Sequence, residues 1–151
     1  FCEGAESSRH TVKTVNVCKL NVKGCLACEY CHSKGNGKCI QKDDMQDIYS
    51  LLKDTNMLVL ASPIYYHGIS GQLKCVIDRF YSALYPAATK SLTQIAMFLS
   101  SGDRNQYDGA MFSYNGDFLG YLGLKDMGVF TSAGGVSDEL LAKIRKFGES
   151  L

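Results

Sequence analysis

MLVLASPIYYHGISGQLKCVIDRF, residues 57–80, is the stretch whose reading decides the fold. It opens on a short, continuously apolar run, Met57–Ala61. Such a run suits a strand buried on both faces. The run breaks at Ser62-Pro63 and passes into a tyrosine-rich loop, Ser62–Ser70. From Gln72 towards Tyr85, apolar residues recur at Leu73, Val76, Ile77, Phe80, Tyr81 and Leu84. That is a helical period, and Pro86 marks its exit. Strand, loop and helix in that order form half of a βαβ unit. In open parallel sheets built from such units, ligands sit beyond the carboxyl ends of the strands. The loop Ser62–Ser70 falls at that end.

The same alternation extends in both directions. Upstream, Phe1–Glu6 reads as the end of a helix, and Thr11–Leu20 (TVKTVNVCKL) as a half-buried edge strand. Met45, Ile48, Leu51 and Leu52 form the inner stripe of a helix to Lys53. Asp43 is its expected N-cap, with Gln46 where a capping box wants Glu or Gln. Downstream come a strand over Gln94–Leu99, a helix over Tyr107–Leu122 and a strand over Asp126–Thr131. Ser137-Asp138-Glu139 opens a last helix with Leu140, Ile144, Phe147 and Leu151 on one face. The pattern predicts a single α/β domain over residues 1–151, with right-handed crossovers around a parallel sheet. One element is out of place: a helix at residue 1 should follow a strand.

Composition narrows the function. The net charge is +1 and no basic run is present, which argues against an electrostatically driven nucleic-acid or anionic-membrane partner. No apolar run approaches the length of a membrane span. Seven cysteines are an odd number, and four of them, Cys25, Cys28, Cys31 and Cys39, crowd into 15 residues. This points to a reducing, cytoplasmic setting and to metal binding or redox chemistry rather than a disulfide scaffold. Two residues between successive cysteines let both sulfurs face one centre. Four thiolates meet the ligand demand of a 4Fe–4S cluster or a structural zinc; free thiols in a surface loop are the third reading. The spacing resembles the start of a bacterial ferredoxin motif, but no proline follows Cys39 and the last gap is longer.

The loop after the first apolar run has its own chemistry. Ser62 and the loop amides can hydrogen-bond the carbonyls and nitrogens of a flat heteroaromatic ring, with Tyr65 or Tyr66 against its face. The same tyrosines would serve equally as partly buried core. Ser100-Ser101-Gly102-Asp103 ends the next strand, and is either a second wall of that pocket or a simple turn. Ser132–Ser137 reads as an ordinary strand–helix turn with Ser137 as cap. Lys74 and Asp78 are spaced to pair on one helix, and Asp78-Arg79 reads as a solvated or subunit-facing edge. His67 reads as an exposed loop histidine. No nucleophile–base constellation and no G-x-S-x-G elbow is present.

Three stretches together carry a family resemblance: GCLACEYCHSKGNGKCIQKDDM (24–45), SPIYYHGISGQLKCVIDRF (62–80) and LGLKDMGVFTSAGGVS (122–137). The chain resembles the flavodoxin-like NADPH-dependent FMN reductases and iron–sulfur flavoproteins over nearly its whole length. The resemblance implies a flavodoxin-like three-layer α/β sandwich with a parallel sheet in the order 2-1-3-4-5. It implies FMN at the carboxyl ends of the strands, NAD(P)H or a reduced carrier as donor, and a flavin, quinone or iron–sulfur acceptor. It implies a homodimer or homotetramer. By position, Ser62, Pro63, Ile64, Tyr65 and Tyr66 would contact the isoalloxazine ring, and Ser100, Ser101 and Gly102 would line its other side. Cys25, Cys28, Cys31 and Cys39 would hold a 4Fe–4S cluster. Such families begin with a strand and a phosphate-binding loop, which in this chain would precede Phe1. The expectation is therefore that about 20–30 residues stand before it. The rival expectation is a non-enzymatic metal-binding or interaction module with a degraded flavin site.

Overall fold

Three parallel strands and one short hairpin make the sheet of this computed structural model, which describes residues 1–151. Strand β1 spans Met57–Tyr65, β2 Gly68–Ile69, β3 Gln94–Ser101 and β4 Lys125–Ala133. Their order across the sheet is β2-β1-β3-β4. β1 runs parallel to β3 from Met57↔Gln94 to Pro63↔Ser100, and β3 runs parallel to β4. Only β2 is antiparallel, pairing Ile64↔Ile69 and Tyr65↔Gly68 at the end of β1.

Helices cover both faces. Inward residues alternate along the strands, as a pleated sheet requires. Leu60 and Ile64 of β1, with Ile95, Met97 and Leu99 of β3, face the larger core. Helix α2 (Met45–Leu52) adds Met45, Ile48 and Leu52, and α3 (Gly71–Arg79) adds Leu73 and Val76. Phe80 breaks that helix, and a short turn of helix, α4 (Tyr81–Leu84), follows. On the other face α1 (Cys2–Ser7) packs against α6 (Asp138–Glu149). Phe1, Phe98, Phe130 and Phe147 meet there with ring centroids 5.0–5.6 Å apart. Gly4 makes this approach possible, because a Cβ there would strike the Arg145 carbonyl.

Several expectations need correction. Thr11–Leu20 is not a strand: it is irregular, with a single 3-10 turn at Val17–Lys19. No strand lies alongside it to receive its backbone groups, and alternation alone does not hold a strand without a ladder. β1 does not stop at Ala61 but runs through Pro63 to Tyr65, so the loop shrinks to Tyr66-His67. Of Met57–Ala61 only Leu60 is buried, so the run is not covered on both faces as its composition predicts. The expected helix over Tyr107–Leu122 divides into α5 (Asp108–Ser113) and a π-helical segment, Tyr114–Tyr121. Ser137 does cap α6, accepting the Leu140 N–H at 3.2 Å. Lys74 and Asp78 do pair. No helix is long and apolar enough to cross a membrane.

Candidate functional site

At the carboxyl end of the sheet, β1 turns back through a two-residue hairpin. Tyr66 and His67 both take positive φ, 49° and 62°. This is the conformation that two-residue hairpin turns demand, and it suits Asn-Gly better than two bulky side chains. The turn leaves Tyr65 exposed and Tyr66 fully exposed. Gly109 at the start of α5 sits under it, since a Cβ there would lie 2.5 Å from the His67 carbonyl oxygen. The Ser62 hydroxyl is buried and committed to the hairpin: it accepts the Ser70 N–H at 2.9 Å and donates to the Pro63 carbonyl at 2.7 Å. Ile64 points into the core.

The second wall lies beside the first. Register sets Ser62 against Leu99 and Pro63 against Ser100, so both segments reach the same edge. Ser100 and Gly102 are exposed, and a Cβ on Gly102 would touch nothing. The Ser101 hydroxyl is engaged by Asp103 and by the Tyr107 phenol, which itself donates to the Ser132 carbonyl at 2.7 Å. What faces solvent is thus Pro63, Tyr65, Tyr66, Ser100 and Gly102. A proline and two exposed aromatic rings are residue types against which a planar ring packs. On that observation, the residues present fit the ring end of FMN.

The cysteine loop forms a second site. Cys25, Cys28, Cys31 and Cys39 line one cavity, together with Tyr49, Arg79, Tyr81 and Ser82. All seven cysteines of the chain are free. Ala27 and Glu29, between the clustered cysteines, both take left-handed backbone conformations with φ of 51° and 52°. Such conformations are uncommon for residues with a Cβ and gather at functional sites. The Ala27 N–H donates to Cys25 Sγ at 3.4 Å. Burial pushes the Cys31 thiol above its ordinary value, and neighbouring Cys39 adds to the rise. The Tyr81 phenol donates to Glu29 at 3.0 Å, and that carboxylate pushes it up to about 12.

No three His, Cys, Asp or Glu side chains stand close enough to hold a single metal ion as they are. That disfavours a preformed tetrahedral zinc site, whose four ligands converge on one atom. The ligands of a cubane cluster bind different corners and stand further apart. The cavity is small, about 20 Å³, with Cys25 and Cys28 exposed. Four thiols are the donor set a 4Fe–4S group takes, and the structure brings them to one cavity without converging them on a common centre.

Arg79, which also lines this cavity, was missed by the solvated-edge reading. Its side chain is 1% exposed. It donates two hydrogen bonds to Asp43, from Nη1 at 2.8 Å and Nη2 at 3.0 Å, and Nη1 also reaches the Lys23 carbonyl at 3.0 Å. Burial alone would push the Asp43 carboxyl up; the Arg79 guanidinium and the Lys23 and Met45 N–H groups outweigh it and hold the carboxyl below its ordinary value. Asp43 therefore does not close the capping box. Asp44 is the N-cap, and Gln46 turns to the Gln41 carbonyl instead. The signal was available: Leu73, Val76 and Arg79 recur every third residue, on the buried side of α3.

A separate groove of about 440 Å³ runs between α3 and the π-helical segment, lined by Ile77, Leu84, Tyr85, Phe118 and Tyr121 among others. Tyr81 lines both this groove and the cysteine cavity.

A family profile described as NADPH-dependent FMN reductase matches residues 2–135. An iron-sulfur flavoprotein of Methanocaldococcus jannaschii is 33% identical over 95 residues, 62% of this chain and 48% of that protein. One from Archaeoglobus fulgidus is 35% identical over 74 residues, 49% of this chain and 33% of that protein. The chain thus spans half or less of the length of these relatives. Among solved structures, an NAD(P)H:quinone oxidoreductase from Methanothermobacter marburgensis superimposes with a TM-score of 0.69 at 17% identity, covering 98% of this chain and 84% of that one. An FMN-dependent NADH-azoreductase from Bacillus anthracis gives 0.62 at 18% identity, covering 97% and 85%. At such identities these two report the fold, which is flavodoxin-like.

Proposed function

The chain belongs to the NADPH-dependent FMN reductase family, and from that premise we propose that it supplies the ring-binding wall and the cluster-binding loop of an FMN-dependent oxidoreductase. The reaction passes hydride or electrons between NAD(P)H or a reduced carrier and a flavin, quinone or iron–sulfur acceptor. FMN, when bound, supplies the ability to take a hydride or single electrons. The residues of this chain do the rest. Pro63, Tyr65 and Tyr66 would pack against the ring and shield it from water. Ser100, Gly102 and the backbone about Ser62 and Ser101 would stand beside it. The Ser62 hydroxyl fixes the hairpin rather than the ring. Cys25, Cys28, Cys31 and Cys39 would hold the 4Fe–4S cluster.

The observation that carries the reading is the gathering of these four cysteines about one cavity in a chain of flavin-reductase fold. Exposed Tyr85, Phe112 and Tyr121 supply apolar surface for a homodimer or homotetramer. Seven free cysteines support a reducing, cytoplasmic setting.

The test is an absorption spectrum of the whole protein purified without oxygen, with iron, sulfide and zinc analysis. Flavin bands together with a broad iron–sulfur shoulder are expected. Zinc without iron or acid-labile sulfide would remove the cluster from the reading. Absence of flavin that persists after FMN is added would remove the flavin.

A further inference from the structure

The groove between α3 and the π-helical segment, about 440 Å³, has the size of a small-molecule pocket. Its floor is apolar: Leu84, Met97 and Phe118 line it and are 2–3% exposed. Its rim is aromatic. Tyr85 and Tyr121 line it, 44% and 57% exposed, with their rings within 11° of parallel and centroids 6.4 Å apart. The Tyr85 ring is also in contact with Tyr81 and His32, at centroid distances of 4.8 and 5.0 Å. Exposed apolar side chains gathered at a cavity mark a place where another molecule docks. The backbone there is also out of the ordinary. Within Tyr114–Tyr121 the helix is π, and the Leu122 N–H donates to the Asp117 carbonyl at 2.9 Å. Such segments are rare and frequent at functional sites. Asp117, Phe118 and Tyr121 of this one all line the groove.

Charge narrows the ligand. The charged groups lining the groove are Lys74, Asp78 and Asp117. Lys74 and Asp78 pair with each other. Asp117 is exposed and belongs to none of the four ion pairs of the chain. The groove therefore holds one uncompensated carboxylate, together with aromatic rings whose faces are themselves negative. We propose that this groove binds a planar aromatic cation, with its ring against Tyr85 and Tyr121 and its charge met by Asp117. Stacking and cation–π attraction act on the same tyrosine faces. The site is distinct from the flavin wall, since neither Tyr65 nor Tyr66 lines it, and it requires neither flavin nor metal. A second copy of the chain is the rival occupant, because Tyr85 and Tyr121 also stand on the apolar surface open to an oligomer.

The experiment is a fluorescence titration of the whole protein with proflavine, a flat fused-ring cation, and with anthracene carboxylate, a flat fused-ring anion. Proflavine is expected to bind about tenfold more tightly, through cation–π attraction and the opposite charge. Asp117→Asn is expected to cut that preference about threefold, the effect of one exposed charge. Tyr121→Leu is expected to weaken proflavine about tenfold by removing one aromatic face. Tyr66→Ala, at the hairpin, should leave proflavine binding unchanged. If Tyr121→Leu does not fold, the exposed Asp117→Asn substitution still decides the matter. Equal affinity for the two probes, no effect of Asp117→Asn, or weaker proflavine binding in Tyr66→Ala overturns the site. Sedimentation is run in parallel. Proflavine affinity that falls as rising protein concentration drives association gives the groove to a second copy, and overturns the ligand.

Discussion

Asp43 and Arg79, 36 positions apart in the chain, join the loop before α2 to the end of α3 through two parallel hydrogen bonds of 2.8 and 3.0 Å. The Asp43 side chain is only 7% exposed and that of Arg79 1%. Removing one member of such a pair strands the other charge in the interior, which costs about 3–5 kcal/mol. Arg79→Leu should therefore lower unfolding stability by that amount in urea titration. Leu73→Met, on the same helix, should cost less than about 1.5 kcal/mol. Equal losses in the two variants would show that the pair is not specifically required.

The same pair sets an acid limit. Because Asp43 has its pKa lowered from an ordinary value of 3.8, the unfolded chain binds the proton first as pH falls. Its stabilising contribution is complete above that ordinary value and is lost as pH drops through the lower folded value. Thermal unfolding of wild type should show Tm declining below about pH 4. Asp43→Asn should start lower at neutral pH and show a shallower decline over that window.

Gly109→Ala tests the seat of the hairpin. A methyl group there meets the His67 carbonyl oxygen at 2.5 Å, and a backbone atom cannot turn aside as a side chain can. Overpacking of this kind costs about 1–3 kcal/mol. Since the hairpin carries Tyr65 and Tyr66, FMN should also bind more weakly, read by quenching of flavin fluorescence. A variant with unchanged stability and affinity would show that α5 and the hairpin are free to part.

Tyr66 and His67 hold positive φ without the freedom of glycine. Replacing them by Asn-Gly should stabilise the protein by about 1 kcal/mol, because that pair suits the turn and relieves the left-handed strain. The expected result splits: Tm rises while FMN affinity falls, since the exposed Tyr66 ring is lost. Unchanged affinity would remove Tyr66 from the flavin wall.

The alternation of apolar runs made the helices and parallel strands from Met45 onward readable, because each buries one continuous face. It failed where a contact made far along the chain overrode a local rule. Pro63 reads as a break, yet β1 accommodates it in register with Ser100. Asp43 and Gln46 read as a capping box until Arg79, from another helix, takes the carboxylate. Thr11–Leu20 has the composition of a strand but no neighbouring strand to bond. At the site, cysteine spacing left a cluster, a zinc and free surface thiols all open, and the structure adds that Cys25, Cys28, Cys31 and Cys39 line one cavity. The internal use of the Ser62 hydroxyl was not foreseeable, because it depends on Ser70 returning through a hairpin.

β1 has one further consequence. It bonds along its length to β3, whereas its other edge is paired only at Ile64 and Tyr65. β3 has a neighbour on each side. Peptide hydrogens of β3 are held from both directions, by β1 and by β4. Time-resolved isotope labelling should therefore find β3 among the slowest segments of the chain to exchange, by its place in the sheet rather than by its apolar content.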